Sequence, residues 1–333
     1  MKKFINTPDT VVADALRGMA VAYPQLSIDV EKRLVVRGDA PVAGKVGILS
    51  GGGAGHEPLH AGYVGFGMLD AACPGEIFTS PPPLQVLEAT RRINAGAGVL
   101  HIVKNYTGDV LNFEMAADMA RAEGIEVAAI LVTDDVAVSD SLYTAGRRGV
   151  GATVLVEKIC GAAAERRWPL DKVAALGNRV IRNARSMGIA LTSCTVPAAG
   201  RPTFAIGEDE IEVGIGMHGE PGRYRQGIAP ASELARILLD TILDDMPLAA
   251  GEPVLVFVNG MGATPLMELY IMLEELSKLI SARGLVLDRT FTGSYMTALD
   301  MAGCSVTLLH LDEEMREFWD APVSTPGLTK GTV

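Results

Sequence analysis

Short apolar runs alternate along the chain with longer segments whose apolar residues recur at helical spacing. The apolar runs predict strands at residues 45–50, 98–103, 126–132, 189–195, 253–259 and 305–311. Helical spacing predicts helices over residues 153–167, 169–188 and 265–282, and then a strand over 285–290 and a short helix over 295–302. This alternation predicts an α/β fold in which largely parallel or mixed sheets are flanked by helices.

The length of the chain predicts two domains. A typical domain has about 100–200 residues, and the chain has 333. The second predicted helix stops near Gly188, and we place the boundary there. The prediction is an N-terminal α/β domain over residues 1–187 and a C-terminal α/β domain over residues 188–333.

Composition and charge exclude several classes of partner. The formal net charge is −11, whereas nucleic acids are bound by basic faces, so we expect no nucleic-acid partner. The purest apolar run, residues 127–132, is far shorter than the ~20 residues that span a bilayer, and the first residues lack a signal-peptide core. We therefore expect a cytoplasmic protein with no membrane partner. The four cysteines show no CxxC spacing, which favours buried reduced thiols and no metal site.

A glycine-rich segment, GGGAGHEP at residues 51–58, directly follows the first predicted strand. Its four glycines would let the backbone approach a phosphate or a small polar molecule and present N–H groups to it. The alternative is a sharp strand-to-helix turn, although four glycines exceed what one turn requires. His60 follows His56 by four residues and could share a helix face with it as a metal pair, but no third ligand has recognisable spacing.

A second polar segment, KNYTGD at residues 104–109, follows another predicted strand. Lys104 supplies a charged hydrogen-bond donor, and the Asp109 carboxylate could accept a proton from a hydroxyl group. The alternative is that Asp109 or Thr107 caps the helix over residues 113–122. The spacing alone leaves both interpretations open.

A third glycine-rich segment surrounds His218. Gly214, Gly216 and Gly219 match the GxGxxG dinucleotide fingerprint, but Pro221 follows where that motif requires a helix. We therefore reject a dinucleotide site. A histidine in a loop is usually a solvated polar residue, so the spacing alone gives His218 no role. We expect His101, inside an apolar strand, and His310, at the end of another, to be core or strand-end histidines.

The exact residue sequences of several segments are more specific than the spacing of their residues. Seven segments are distinctive: GGGAGHEP (51–58), CPGEIFTS (73–80), KNYTGD (104–109), SLYTAGRRG (141–149), HGEPG (218–222), GATPL (262–266) and WDAP (319–322). In these segments, which are spread over nearly its whole length, the chain closely resembles the DhaK-type dihydroxyacetone-binding subunits of dihydroxyacetone kinases.

The resemblance implies a role for each site residue. In that family a histidine of the HGEPG turn, here His218, forms a covalent hemiaminal with the carbonyl carbon of the substrate. The glycine-rich segment, with Gly53 and His56, and the KNYTGD segment, with Lys104 and Asp109, hold the hydroxyl groups. The neighbours Ala54 and Gly55 belong to the same substrate-binding segment. Asp109, assisted by His56, is then expected to act as the catalytic base.

The resemblance also implies partners. Family members are homodimers that bind no nucleotide or metal themselves and receive the phosphoryl group from a DhaL-type subunit or domain carrying ADP or ATP with Mg²⁺. The absence of a GxxxxGK[ST] motif agrees with this expectation. Whether the donor is ATP or a phosphoenolpyruvate-driven phosphotransferase relay depends on the partners. We expect phosphotransferase activity in glycerol metabolism, acting on dihydroxyacetone (glycerone), only together with such a partner.

Two departures from the family keep alternatives open. Ala54 stands where serine is common, and residues 244–251 form a shorter segment than in longer members. Either change could shift the substrate toward a four-carbon ketose such as erythrulose. The alternative from another class is a ketose-sensing coactivator without catalytic activity, which would keep His218 but would not need Asp109 or His56.

Overall fold

The computed structural model describes residues 2–140 and 144–332, and the chain divides into two compact units. The first unit comprises the chain up to Val132 together with Thr153–Arg179 and the residues from Glu314 onward. The second comprises the residues between Thr133 and Ala152 together with Val180–Glu313. Each unit is thus built from more than one chain segment. The boundary at 187/188 stays a prediction, and both of its residues lie within one strand of the second unit.

The first unit contains a six-stranded mixed sheet with helices. Its strands are β1 (Leu26–Asp29), β2 (Leu34–Arg37), β3 (Gly47–Ala54), β4 (Ala71–Ile77), β5 (Val99–Lys104) and β6 (Val127–Val132). The helices that lie wholly or mainly in this unit are α1 (Val11–Ala22), α2 (Pro83–Ile93), α3 (Thr107–Ala122), α4 (Ala152–Glu165), α5 (Leu170–Arg182) and α8 (Glu313–Asp320).

The strand order in this sheet is β1-β2-β4-β3-β5-β6, and β4, β3, β5 and β6 run parallel to one another. Parallel strands are buried on both faces, which explains why β3 and β5 have only buried residues. Helix α3 buries one face in the core of this unit. That face consists of Phe113, Ala116, Ala117 and Ala120. The carboxyl ends of β3 and β5 therefore meet at one edge of a buried sheet.

The second unit contains another six-stranded sheet. Its strands are β7 (Ala184–Ala190), β8 (Glu210–Val213), β9 (Tyr224–Gly227), β10 (Pro253–Gly260), β11 (Val286–Gly293) and β12 (Gly303–His310). The helices of this unit are α6 (Ala231–Asp245) and α7 (Leu266–Ala282). The order is β11-β10-β12-β7-β8-β9, in which only β10 and β11 pair in parallel. The expectation of mixed sheets is confirmed, and this sheet is mainly antiparallel.

Three local predictions are wrong. The glycine-rich residues from Gly51 to Ala54 continue strand β3 instead of forming a loop. Helix α5 ends at Arg182, and the next strand begins at Ala184, because residues 184–190 pair with β12. Residues 295–302 form turns instead of a helix, since Asn259 Oδ1 accepts the backbone N–H groups of residues 295 and 296 and Asn259 Nδ2 donates to the carbonyl of residue 296.

The strand predicted over residues 189–195 is also misplaced, because β7 begins five residues earlier and ends at Ala190. The other predicted helices and strands agree with the structure to within a few residues. The four cysteines are buried, as expected, at positions 73, 160, 194 and 304. His101 is a buried core histidine with its Nε2 2.9 Å from Thr90 Oγ1, and His310 ends strand β12. Among the residues described, no helix has the length and apolar character needed to cross a membrane.

Candidate functional site

The glycine-rich end of β3 lies beside the last residue of β5, Lys104. The two strands pair in parallel, with Ser50 opposite Ile102, so their polar ends reach the same edge of the sheet. Lys104 Nζ donates to the carbonyl oxygen of Gly51 at 3.2 Å. A Cβ atom on Gly52 would lie 2.2 Å from the same Nζ. Glycine at position 52 therefore makes the space that the buried ammonium group occupies.

Asp109 faces this ammonium group from the first turn of α3. Its Oδ2 atom lies 3.8 Å from Lys104 Nζ, and both side chains are buried. Asp109 Oδ1 is buried and has no hydrogen-bond partner among the residues described. Since a buried polar atom without a partner costs about 1–3 kcal/mol, an orphaned carboxylate oxygen indicates a position that a ligand hydroxyl would satisfy. Helix capping by the Asp109 side chain is not observed, because α3 begins at Thr107 with Tyr106 as its N-cap.

Two further titratable residues extend this group. His60 Nε2 lies 2.6 Å from Lys104 Nζ, and His60 Nδ1 lies 2.6 Å from Oε1 of Glu157 on α4. Burial holds the pKa of His60 well below its usual value, and burial also lowers the pKa of Lys104. Burial raises the pKa of Glu157 to about 8, against the opposing effect of the Lys104 charge. Residues 56–60 form turns, so His56 and His60 do not share a helix face.

His56 follows β3 directly and is fully buried. Its ring stacks on Phe78, with centroids 4.9 Å apart and an interplanar angle of 16°. Phe78 has a φ of +56°, a strained conformation for a bulky residue that the surrounding structure must maintain. A Cβ atom on Gly53 would lie 2.6 Å from Phe78 Cα, so close packing of β3 against this segment requires glycine there. The CPGEIFTS segment thus fixes the orientation of the His56 ring.

His218 lies in the second unit, in a turn between β8 and β9. The turn is closed by the Gly219 N–H, which donates to the Gly216 carbonyl at 3.0 Å, and Gly219 has a φ of +83°. The backbone N–H of His218 donates to Glu220 Oε2 at 2.9 Å, and the ring Nδ1 lies 2.8 Å from Glu220 Oε1. An ionised carboxylate only accepts hydrogen bonds, so Nδ1 carries the proton and the lone pair of the neutral imidazole is on Nε2.

The surroundings of Glu220 keep it ionised. Burial opposes its charge, but the neighbouring His218 and the Arg148 guanidinium, together with hydrogen bonds, lower its pKa to about 2. Arg148 is fully buried, pairs with Asp135 at 2.7 Å, and donates to the Gly214 carbonyl at 2.8 Å. The second unit therefore contains a buried arginine that stabilises both the carboxylate and the backbone of the His218 turn.

The structure brings part of the predicted site of the first unit together. Lys104 and Asp109 face each other beside the glycines of β3, and His56 is close enough to His60, which contacts Lys104, for their charges to interact. Gly53 and Ala54 are buried at the end of β3, and Gly55 follows that strand. His218 belongs to the second unit. Strand β9 is the next element after the Gly214 to Gly219 segment. The first three residues of the segment 141–149 lie outside the described residues.

Two residues of these clusters, Glu220 and Glu157, are not predicted from the sequence, and His60 is considered there only as a possible metal ligand. Glu220 is two residues from His218 inside the recognised turn, so a carboxylate beside a histidine in a glycine-rich loop was an available signal. Glu157 and His60 are 97 residues apart in the chain, and their contact depends on the packing of α4. Within the part of the chain that the structure describes, no group of three or more potential metal ligands occurs.

The comparisons with known proteins agree with the motifs. Residues 17–327 match the family model of the Dak1 domain. The chain is 47% identical to the dihydroxyacetone-binding subunit DhaK of a PEP-dependent dihydroxyacetone kinase of Escherichia coli, over 99% of this chain and 100% of the relative. It is 51% identical to the corresponding subunit of PTS-dependent dihydroxyacetone kinase 1 of Listeria innocua, over 98% and 99% of the two chains.

A solved structure is similar over nearly the whole chain. It is the dihydroxyacetone kinase operon co-activator Dha-DhaQ, with a TM-score of 0.91, 33% sequence identity, and coverage of 96% of this chain and 99% of that one. The fold and the sequence similarity define an α/β protein of the kind found in dihydroxyacetone kinases. The chain belongs to the Dak1 family, and the resemblance seen in its motifs is confirmed.

Proposed function

We propose that the chain is the substrate-binding, catalytic subunit of a dihydroxyacetone kinase, and that His218 holds the substrate covalently. The relatives at 47% and 51% identity, matched over almost their full lengths, are subunits of such kinases, so the chain is a phosphotransferase subunit. The observation that carries the covalent step is the hydrogen bond from His218 Nδ1–H to the buried Glu220, since it sets the tautomer that attack on a carbonyl requires.

The covalent step is an addition reaction. The Nε2 lone pair of His218 attacks the carbonyl carbon, and the C=O π electrons move to the oxygen. The oxygen takes up a proton from solvent and becomes the hydroxyl group of the hemiaminal. The imidazole ring gains positive charge as the bond forms. The Glu220 carboxylate, 2.8 Å from Nδ1, stabilises that charge or accepts the Nδ1 proton. Glu220 is thus a positioning residue for His218.

A covalent bond also explains selectivity. Dihydroxyacetone has six heavy atoms, and each contributes at most about 1.5 kcal/mol of noncovalent binding free energy, so contacts alone separate it poorly from glycerol. Only a carbonyl carbon accepts the His218 nitrogen. Polyols without a carbonyl group lose the covalent contribution to the binding free energy and are rejected by chemistry.

The first-unit cluster supports the roles proposed for the hydroxyl groups. The substrate is surrounded by Gly53, Ala54, Gly55 and His56. Lys104 donates a hydrogen bond to a substrate hydroxyl group, and Asp109 accepts the proton of that hydroxyl as the hydroxyl oxygen attacks phosphorus. The buried Asp109 Oδ1 without a partner among the described residues supports this role. His56, held by its stacking on Phe78, assists the same proton transfer.

The phosphoryl group is supplied by a partner. The chain contains no GxxxxGK[ST] segment, and the similar proteins are named as subunits of kinases that depend on phosphoenolpyruvate or a phosphotransferase system. We propose a DhaL-type partner subunit carrying ADP or ATP with Mg²⁺, and a homodimer of this chain. The purified chain with ATP and Mg²⁺ alone should then show no turnover.

The test of the covalent step is the variant His218→Ala, studied by calorimetric titration with dihydroxyacetone and with glycerol. We expect the affinity for dihydroxyacetone to fall to that for glycerol, because both would bind only by hydrogen bonds. Wild-type affinity and discrimination in this variant would contradict the hemiaminal.

The test of the base is the variant Asp109→Asn, assayed with a DhaL-type partner. We expect binding of dihydroxyacetone to persist and kcat to fall about 10²–10⁴-fold, the usual contribution of general base catalysis. A kcat near the wild-type value would remove Asp109 from this role.

The structural similarity to Dha-DhaQ favours one second candidate, a ketose-sensing coactivator without catalytic activity. His56 and Asp109 favour the enzyme, because a sensor would not need a proton acceptor for phosphoryl transfer. Phosphorylation of dihydroxyacetone by the chain with its partner decides between the two, and the same assay with erythrulose tests whether a four-carbon ketose is preferred.

A further inference from the structure

A network of four buried titratable side chains, the Glu157 network, lies in the first unit. Asp109 Oδ2 lies 3.8 Å from Lys104 Nζ, Lys104 Nζ lies 2.6 Å from His60 Nε2, and His60 Nδ1 lies 2.6 Å from Glu157 Oε1. Glu157 is fully buried, and the His60 side chain is 3% exposed. Burying such groups is costly unless they are paired, and the proposed reaction does not use either His60 or Glu157.

The hydrogen bonds of the Glu157 network fit two arrangements of the same protons. A charged Lys104 has only donors, so it donates to His60 Nε2, and His60 donates its Nδ1–H to the ionised Glu157. In the second arrangement, the Glu157 carboxylic acid donates to Nδ1, and His60 Nε2–H donates to the neutral amine of Lys104. The two differ by one proton moved along each of two hydrogen bonds, so the total number of protons and the net charge are unchanged.

The surroundings of the Glu157 network decide which arrangement is more stable. Burial disfavours both charges, since it lowers the pKa of Lys104 and raises that of Glu157 to about 8, whereas the Asp109 anion favours a charged Lys104. Among the residues described, two further titratable groups act on this network: His56, whose charge would lower the pKa of His60, and Cys160, whose thiol pKa is raised by burial and by Glu157. The charge on Asp109 is therefore the variable that shifts the balance.

We propose that Glu157, acting through His60, is a positioning residue that sets the charge of Lys104 beside Asp109. The inference rests on the proposed function, because it takes Lys104 and Asp109 as the groups that bind the substrate hydroxyl. While Asp109 is an anion, Lys104 is charged and donates to that hydroxyl. When Asp109 takes the hydroxyl proton, one proton moves from Lys104 to His60 Nε2 and another from His60 Nδ1 to Glu157. No unpaired positive charge then remains buried.

The test is the pH dependence of kcat for Glu157→Gln and Glu157→Asp, measured with a DhaL-type partner and its phosphoryl donor. The glutamine side chain would keep the hydrogen bond to His60 and lose the charge, so Lys104 should deprotonate at lower pH. We expect the alkaline limb of the profile to move down by at least one pH unit and kcat to fall at least tenfold. Glu157→Asp keeps the carboxylate and should keep the alkaline limb of the wild type.

The matched control is Glu165→Gln. Glu165 lies on the same helix as Glu157, but its carboxylate contacts Arg37 instead of His60. This variant should leave the alkaline limb in place. A folded Glu157→Gln variant with the wild-type pH profile, or an equal shift in Glu157→Gln and Glu165→Gln, would overturn the inference. The variant Lys104→Met is measured alongside. Wild-type turnover in Lys104→Met would contradict the proposed function. Loss of turnover in Lys104→Met together with a wild-type pH profile in Glu157→Gln would contradict only this inference.

A second measurement does not depend on activity or on the folding of a Glu157 variant. NMR of ¹⁵N-histidine-labelled protein reports which ring nitrogen of His60 carries the proton. We expect an Nδ1–H tautomer in the wild type at neutral pH and an Nε2–H tautomer in Asp109→Asn, which removes the anion beside Lys104. The same tautomer in both proteins would overturn the inference.

Discussion

Replacing Glu220 with glutamine tests how the protein prepares His218 for attack. Glu220 accepts two hydrogen bonds, one from the backbone N–H of His218 at 2.9 Å and one from its ring Nδ1 at 2.8 Å. Glutamine has a single acceptor oxygen. If that oxygen stays on the backbone N–H, the amide NH₂ faces Nδ1 and forces the ring proton onto Nε2, the atom that must attack the carbonyl carbon.

The magnitude follows from the hydrogen bond that is lost. A hydrogen bond to a charged group contributes about 1.5–3 kcal/mol, and each 1.4 kcal/mol is a tenfold change in affinity. We expect Glu220→Gln to weaken the binding of dihydroxyacetone about 10- to 150-fold. Glycerol cannot form the covalent bond, so its affinity should change little.

The assay is calorimetric titration of both ligands into the wild type and the variant. Glu212→Gln is the matched control, because Glu212 is a buried carboxylate of the same region that accepts from the Gly222 N–H at 2.8 Å and pairs with Arg225. It should lower the affinities for the two ligands equally, if at all. Unchanged dihydroxyacetone affinity in Glu220→Gln, or equal losses for both ligands, would refute the tautomer argument.

Two further predictions concern the first unit. Gly52→Ala places a Cβ atom where it would lie 2.2 Å from Lys104 Nζ, so the ammonium group must move. We expect at least a tenfold loss of turnover with a stability loss of about 1–3 kcal/mol. Gly18→Ala is the control, because its added Cβ would meet no atom of another part of the protein within 4 Å, and it should leave turnover unchanged. Equal turnover in both variants would contradict the role of the Lys104 position. Burial lowers the pKa of Lys158 to about 7 from an ordinary value of 10.5, so the folded state binds fewer protons than the unfolded state between these values, and stability rises with pH there. The free energy of unfolding should therefore increase from pH 7 to pH 9 by about 2 kcal/mol more in the wild type than in Lys158→Met, as measured by urea denaturation, and a difference that does not change with pH would contradict it.

The sequence predicts best the strands and helices whose patterns are long and periodic. Strand β10 and helix α7 agree with their predicted limits to within one residue, because their apolar patterns reflect burial in the core. The segment 295–302 differs from its predicted helix because tertiary contacts override its helical propensity. The Asn259 side chain binds its first backbone groups, and the N–H of Ala263 donates to the carbonyl of Met301.

The candidate site is predictable where its residues are close in sequence and not where packing assembles it. His218 and Asp109 lie in recognisable segments, and their carboxylate and lysine neighbours Glu220 and Lys104 are buried. Glu157 has no local pattern that separates it from other helical glutamates, and only the packing of α4 shows its contact with His60. The glycines at 51–53 have the composition of a loop, although they lie in a strand whose neighbours approach too closely for side chains.

A crystal structure of the protein soaked with dihydroxyacetone tests the covalent attachment to His218 most directly. We expect electron density continuous between His218 Nε2 and the carbonyl carbon of the ligand, with Glu220 still bonded to Nδ1 and with the ligand hydroxyls on Lys104 and Asp109. Ligand bound without a bond to His218, at a distance of van der Waals contact, would contradict the hemiaminal.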